Sequence, residues 1–190
     1  DQGLLVDVAV HMGTLFAVII YFWKDIFKIL TAVYYKTLLR RKSKKTDENY
    51  KLLLNLVIAT LPIIPAGYLI NYYSGDILRS MEVIGWATIV FAILLLLADK
   101  VCMTFRKLDH ISYFGAILIG LFQIIALIPG TSRAGITITA ARFLGIERQD
   151  AAKFSMLLSI PVITAAGTLK LVDAYSIGDP GIIMDLIKVA

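Results

Sequence analysis

Five long apolar runs, separated by short polar stretches, organise this chain. They are Leu4–Trp23, Leu52–Ile70, Val83–Ala98, Ser112–Ile128 and Phe154–Val172. Each approaches the about 20 residues that a helix needs to cross the hydrocarbon core of a bilayer. A sixth apolar piece, ITITAARFL (Ile136–Leu144), is too brief to cross, and it follows directly on the polar turn PGTSRAG. That juxtaposition predicts a broken or re-entrant helix, because non-helical backbone at membrane depth is tolerated only inside protein or beside a water-filled cavity. Tyr21, Trp23, Tyr72, Tyr73 and Trp86 stand at or near the ends of runs, where an aromatic belt meets the interface. Pro62, Pro65 and Pro161 predict kinks. Glu147, Arg148 and Asp150, just after Gly145, predict a loop and a helix start. Asn55 and Gln123, each alone in an apolar run, are expected to hydrogen-bond between helices. The pattern is that of an all-α, polytopic membrane bundle forming a single transmembrane domain over residues 1–190. Apolar stretches lie close to both Asp1 and Ala190, so the chain is expected to be an internal piece of a longer protein.

Composition excludes the soluble alternative. Hydrophobic residues make up 58% and charged residues 17%, with a mean hydropathy of +0.79; a soluble domain of this size could not cover itself with so little polar surface. The formal charge of +5 is concentrated between runs, which points to loops on the cytoplasmic side and away from nucleic-acid binding. Lys36–Lys51 carries Lys36, Arg40, Arg41, Lys42, Lys44, Lys45 and Lys51 against Asp47 and Glu48. The segment after the third run carries Lys100, Arg106 and Lys107 against Asp99 and Asp109. Both are expected on the cytoplasmic face, so the run from Ser112 leads outward and PGTSRAG lies at its outer end. The single cysteine, Cys102, excludes an internal disulfide and a cysteine-rich metal site.

The candidate chemistry centres on IIALIPGTSRAGITITAARFLG. Arg133 has apolar sequence on both sides, and a cation at such depth is expensive unless it serves a site. Pro129 and Gly130 stop the incoming helix, and Thr131 or Ser132 can cap the next one. A helix start offers free N–H groups and the positive end of a dipole. With the Arg133 guanidinium fork and the hydroxyls of Thr131, Ser132, Thr137 and Thr139, it makes an oxyanion cradle suited to phosphate or diphosphate. The competing reading is a capped helix break whose arginine pairs with a carboxylate for structural reasons. A second group, Asp7, His11 and Thr14, lines one helical face by its spacing. It suits a proton relay or a metal, or only an interfacial Asp7 hydrogen-bonded to His11. His110, beside Asp109 in a loop, reads as ordinary.

PGTSRAGITI followed by AARFLGIERQDAAKFSMLLSIPVI closely resembles the undecaprenyl-diphosphatase family, also called bacitracin-resistance proteins. VDVAVHMGTLFAVIIYFWKDI, near the start, is similar to the family's helix after its first motif, so the resemblance runs through nearly the whole chain. It implies removal of the terminal phosphate from undecaprenyl diphosphate, regenerating the lipid carrier of peptidoglycan and other cell-wall glycans, in the bacterial inner membrane. It implies a divalent cation, magnesium or calcium, as cofactor, and an inverted repeat of helices with re-entrant segments; a homodimer is compatible with it. Arg133 would bind the diphosphate and stabilise charge in the transition state, with Ser132 as its catalytic neighbour. Ser132 and Thr137 would hydrogen-bond phosphate oxygens, and Gly130 and Gly135 would let backbone approach the anion. Ala134 stands where the family often has serine. The family's acidic N-terminal motif, which carries its expected metal ligands, and its last helices do not occur in these 190 residues. The resemblance therefore implies activity for the longer protein and none for this stretch alone. The alternative class is a transporter or flippase of a lipid phosphate or other anion, built from the same broken helices.

Overall fold

The computed structural model describes residues 2–40, 43–73, 80–102 and 105–177, with side chains over 10, 13–40, 43–70, 80–102 and 105–168. The regular elements among them are helices. In chain order they are α1 (Gln2–Tyr21), α2 (Trp23–Thr37), α3 (Lys44–Thr60), α4 (Ile63–Tyr73), α5 (Met81–Val101), α6 (Tyr113–Ile124), α7 (Arg133–Phe143) and α8 (Arg148–Ile177), with short 3-10 turns at Leu108–His110 and Ile125–Leu127. Among the described residues, Lys44–Ile70, Met81–Val101 and Arg148–Thr168 are long and apolar enough to cross a membrane. The chain is thus an α-helical membrane protein. Its lipid-facing character is plain on α5, which exposes Trp86, Ile89, Val90, Ile93, Leu96 and Leu97.

The helices outrun the apolar runs at their polar ends. The stretch Lys44–Lys51, expected as loop, forms the first turns of α3, and α2 continues from Trp23 to Thr37. Lysine and glutamate are good helix formers, and the paired ends are tied by Lys36 Nζ on Asp47 Oδ1 at 2.7 Å. Pro62 acts as expected: α3 stops at Thr60 and α4 begins at Ile63. Pro161, in contrast, sits inside an uninterrupted α8.

α3 and α6 cross almost backbone to backbone. A Cβ at Gly120 would lie 2.6 Å from the Ala59 carbonyl oxygen, so only small residues permit the crossing. The two lone amides serve it. Gln123 Nε2 donates to Ala59 O at 3.3 Å, and Asn55 Nδ2 donates to Ile111 O, just before α6, at 3.0 Å. Around this crossing Leu56, Ala59, Ile119, Ala140, Phe154 and Leu158 form the buried core.

α6 and α7 form a re-entrant hairpin. α7 has only 11 residues, rising about 16 Å, roughly half the hydrocarbon thickness. Its C-terminal neighbour Leu144 packs on Gly115 at the start of α6, with Cδ1 3.3 Å from where a Cβ would stand. The chain therefore returns to the side from which it entered. There, Arg106 N donates to Gly145 O at 3.0 Å and Glu147 N donates to Arg106 O at 2.9 Å. The two basic segments share that end, joined by Lys51 Nζ on Asp109 O at 2.9 Å. The hairpin tip points the other way, toward the first turns of α5.

Candidate active site

The tip is built by a Pro-Gly turn. Thr131 N donates to Ile128 O at 3.1 Å across Pro129 and Gly130, and Gly130 has φ +91°. This is the signature of a type II turn, which favours proline and then glycine at its centre. A second constraint acts on Gly130: a Cβ there would collide with the Ile84 carbonyl oxygen of α5. The close approach that demands glycine is therefore to a neighbouring helix. Thr88, one turn along α5, places its Oγ1 3.0 Å from Gly130 O and 2.8 Å from Ile84 O.

Of the two candidate caps, Ser132 is used. Its Oγ accepts from Gly135 N at 3.2 Å, and its carbonyl accepts from Ile136 N at 2.9 Å. A Cβ at Gly135 would stand 3.2 Å from the Ser132 Cβ, so a small residue there keeps the cap uncrowded. Arg133 is the first residue of α7. It is partly buried, and its guanidinium makes no hydrogen bond or ion pair with any described group. Beside it, Thr131 is 9% exposed and its Oγ1 is buried without a hydrogen-bond partner. Leaving a buried hydroxyl unsatisfied costs about 1–3 kcal/mol, so the helix start holds an unmet donor two residues before a cation that has no counter-ion among the described residues.

Gly130, Thr131, Ser132, Arg133 and Gly135 thus come together at the tip. Thr137 lies one turn deeper and is 1% exposed. Its Oγ1 is 2.9 Å from Arg133 O, 3.1 Å from Ala134 O and 2.7 Å from Ser155 Oγ of α8. Its hydroxyl is engaged within the protein, and it ties the first turn of α7 to α8. Thr139 donates to Gly135 O at 2.8 Å in the same manner. The side chains of Asp7 and His11 lie outside the described residues.

Three participants escaped the sequence reading: Thr88, Ser155 and Arg142. Ser155 carried a weak signal, as a hydroxyl in an apolar run; Arg142 carried a stronger one, as a second arginine in the short segment. Arg142 is 3% exposed. Its guanidinium donates to Ile146 O at 2.9 Å, Asp99 O at 3.1 Å and Cys102 O at 3.3 Å, and its Nε lies 3.4 Å from Asp99 Oδ1. Asp99 also takes both arms of Arg148, at 2.7 and 2.6 Å.

Among the described residues no group of three or more His, Cys, Asp or Glu side chains could hold a metal ion. A divalent cation therefore does not fit these residues by themselves. Cavities of about 290 and 540 Å³ lie at the opposite, basic end, against Glu48, Lys51 and Asp109, and neither includes the turn.

The family model described as "Bacitracin resistance protein BacA" matches residues 1–189. The chain is 43% identical over 179 residues to undecaprenyl-diphosphatase 1 of Rhodospirillum rubrum, covering 94% of this chain and 62% of that protein. It is 48% identical over 170 residues to the undecaprenyl-diphosphatase of Teredinibacter turnerae, covering 90% and 63%. With the undecaprenyl-diphosphatase of Dinoroseobacter shibae it shares 45% over 186 residues, covering 97% and 68%. The chain therefore spans a little over three fifths of the length of most of these relatives.

Proposed function

This chain belongs to the bacitracin resistance protein BacA family, and from that premise we propose that the protein containing it hydrolyses undecaprenyl diphosphate to undecaprenyl phosphate and inorganic phosphate. The work would return the lipid carrier to peptidoglycan synthesis and confer bacitracin resistance. The observation that carries the reading is the pairing of two unmet groups at the start of α7. Arg133 has no counter-ion among the described residues, and the Thr131 hydroxyl is buried without an acceptor. A diphosphate supplies both needs at once.

In this reading the guanidinium of Arg133 and the free N–H groups of the first turn of α7 hold the terminal phosphate oxygens. Thr131 donates its hydroxyl proton to one of them. Water attacks the terminal phosphorus in line, and its bond to the bridging oxygen breaks. Undecaprenyl phosphate departs with that oxygen, and charge on the phosphoryl oxygens is stabilised by donors already in place. Residues 129–135 include no carboxylate or imidazole, so the turn binds and stabilises, and the proton of the attacking water passes to another part of the protein. Ser132 contributes by capping the helix that presents Arg133. Dependence on magnesium or calcium belongs to the reading through the family alone, and no step is assigned to the ion.

The polyprenyl tail would lie along the apolar exterior. In the same reading the protein is a multi-pass protein of the bacterial inner membrane, with its two basic segments cytoplasmic. The test is phosphate release from a C55 polyprenyl diphosphate by the longer protein in liposomes, native against Arg133→Ala. The native protein releases phosphate, and the variant is slowed about 1000-fold. Equal rates would refute the site; movement of labelled lipid across the bilayer without phosphate release would replace the phosphatase with the transporter.

A further inference from the structure

α7 is too short to set its own position. Isolated helices of this length are marginal, and the placement of its first turn must come from neighbours. Two hydroxyls from other helices reach the backbone of that region. From α5, Thr88 Oγ1 approaches Gly130 O at 3.0 Å. The single proton of Thr88 is shared between Gly130 O and the carbonyl of its own preceding turn, Ile84 O at 2.8 Å, so one hydroxyl links α5 to the Pro-Gly turn. From α8, Ser155 Oγ approaches Thr137 Oγ1 at 2.7 Å and Ala134 O at 3.3 Å. Each hydroxyl has one proton, which leaves two arrangements. Either Ser155 donates to Thr137, whose own proton goes to Arg133 O or Ala134 O, or Ser155 donates to Ala134 O and Thr137 to Ser155. In both, a carbonyl of the first turn of α7 is bonded to the pair. The turn is thus gripped before Arg133 by α5 and after it by α8.

We propose that Thr88 and Ser155 are positioning residues that fix the tilt and depth of the Pro129–Arg133 turn. Through that backbone they aim Arg133 and the free N–H groups of α7 at the phosphate. Neither side chain needs to touch the ligand. The proposal rests on the reading of this turn as the diphosphate site. Its physical basis is that charge-stabilising donors are useful only within a fraction of an ångström of the developing charge.

The experiment uses Thr88→Val, which keeps the shape and deletes the hydroxyl, Ser155→Ala, and the conservative Thr88→Ser, all in the longer protein in liposomes. Phosphate release per folded molecule is followed over substrate concentration, together with thermal unfolding. Thr88→Val and Ser155→Ala are expected to lower kcat about 5- to 50-fold with little change in KM, and Thr88→Ser to stay within about twofold of the native rate. A merely structural role would lower the melting temperature and leave kcat per folded molecule unchanged; that result overturns the proposal. Calorimetric binding of inorganic pyrophosphate separates this proposal from the phosphatase reading. Native protein that binds pyrophosphate while releasing no phosphate overturns the phosphatase alone. Native turnover with unchanged kcat and unchanged pyrophosphate affinity in both hydroxyl-deleting variants overturns the positioning role alone.

Discussion

The two ends of α7 carry the same side chain for opposite purposes. Arg142, in the last turn, has its guanidinium bonded to three backbone carbonyls and lies near the Asp99 carboxylate. It also stands where the negative end of the helix dipole welcomes a cation. Arg133, in the first turn, stands at the positive end of the same dipole, and its guanidinium has no partner among the described groups. By the cost of a buried cation alone, both would be flagged as functional. Partner sets separate them: the guanidinium held by three carbonyls fastens the hairpin to α5, and the one without a partner among the described residues sits where an anion is wanted.

The sharpest way to break this contrast is to exchange the outcomes. Arg133→Ala should cost about 1000-fold in phosphate release, about 4 kcal/mol of transition-state binding. Its unfolding temperature should be unchanged or raised, because a cation is removed from the wrong end of a helix. Arg142→Ala should do the reverse, losing about 3 kcal/mol of stability by denaturant or thermal unfolding while the molecules that stay folded keep turning over. Arg142→Lys should not rescue it, since one ammonium cannot span the carbonyls that a planar fork reaches. An Arg142 variant that is stable but catalytically dead would erase the distinction.

Gly130→Ala comes next, at about 2 kcal/mol or more, because it combines a left-handed φ with a clash on α5. It should impair release as well as folding. Ser132→Ala should cost about 1 kcal/mol as a lost N-cap, with Ser132→Asp recovering most of the stability but not the activity, since a carboxylate repels the diphosphate. Smallest is Arg148→Ala. Its pair with Asp99 is largely solvent-exposed on the arginine side, so less than about 1 kcal/mol is expected. A large loss there would mean that Asp99 depends on both arginines to stay in place.

Much of the architecture was legible in the chain. Apolar run lengths located the long helices, because crossing a membrane is a requirement on contiguous sequence. Pro129-Gly130 announced the break, because each residue restricts or frees its own backbone. The sharing of one end by the two basic segments followed from loop charge. Helix ends were less legible: α2 and α3 extend into charged stretches because the helices pair with each other there.

What the linear order determined, then, is what depends on near neighbours: helix, break, cap region and the arginine at the start of α7. Between Thr131 and Ser132, only the folded chain chose the cap. It alone decided which arginine would be satisfied, that Thr137 would bond to Ser155, and that Thr88 would reach Gly130 from 42 residues away. Those outcomes depend on where helices cross, and a crossing is set by packing across the whole bundle, with glycine and alanine admitting backbones to contact at a few points. No local pattern of residues encodes that distance.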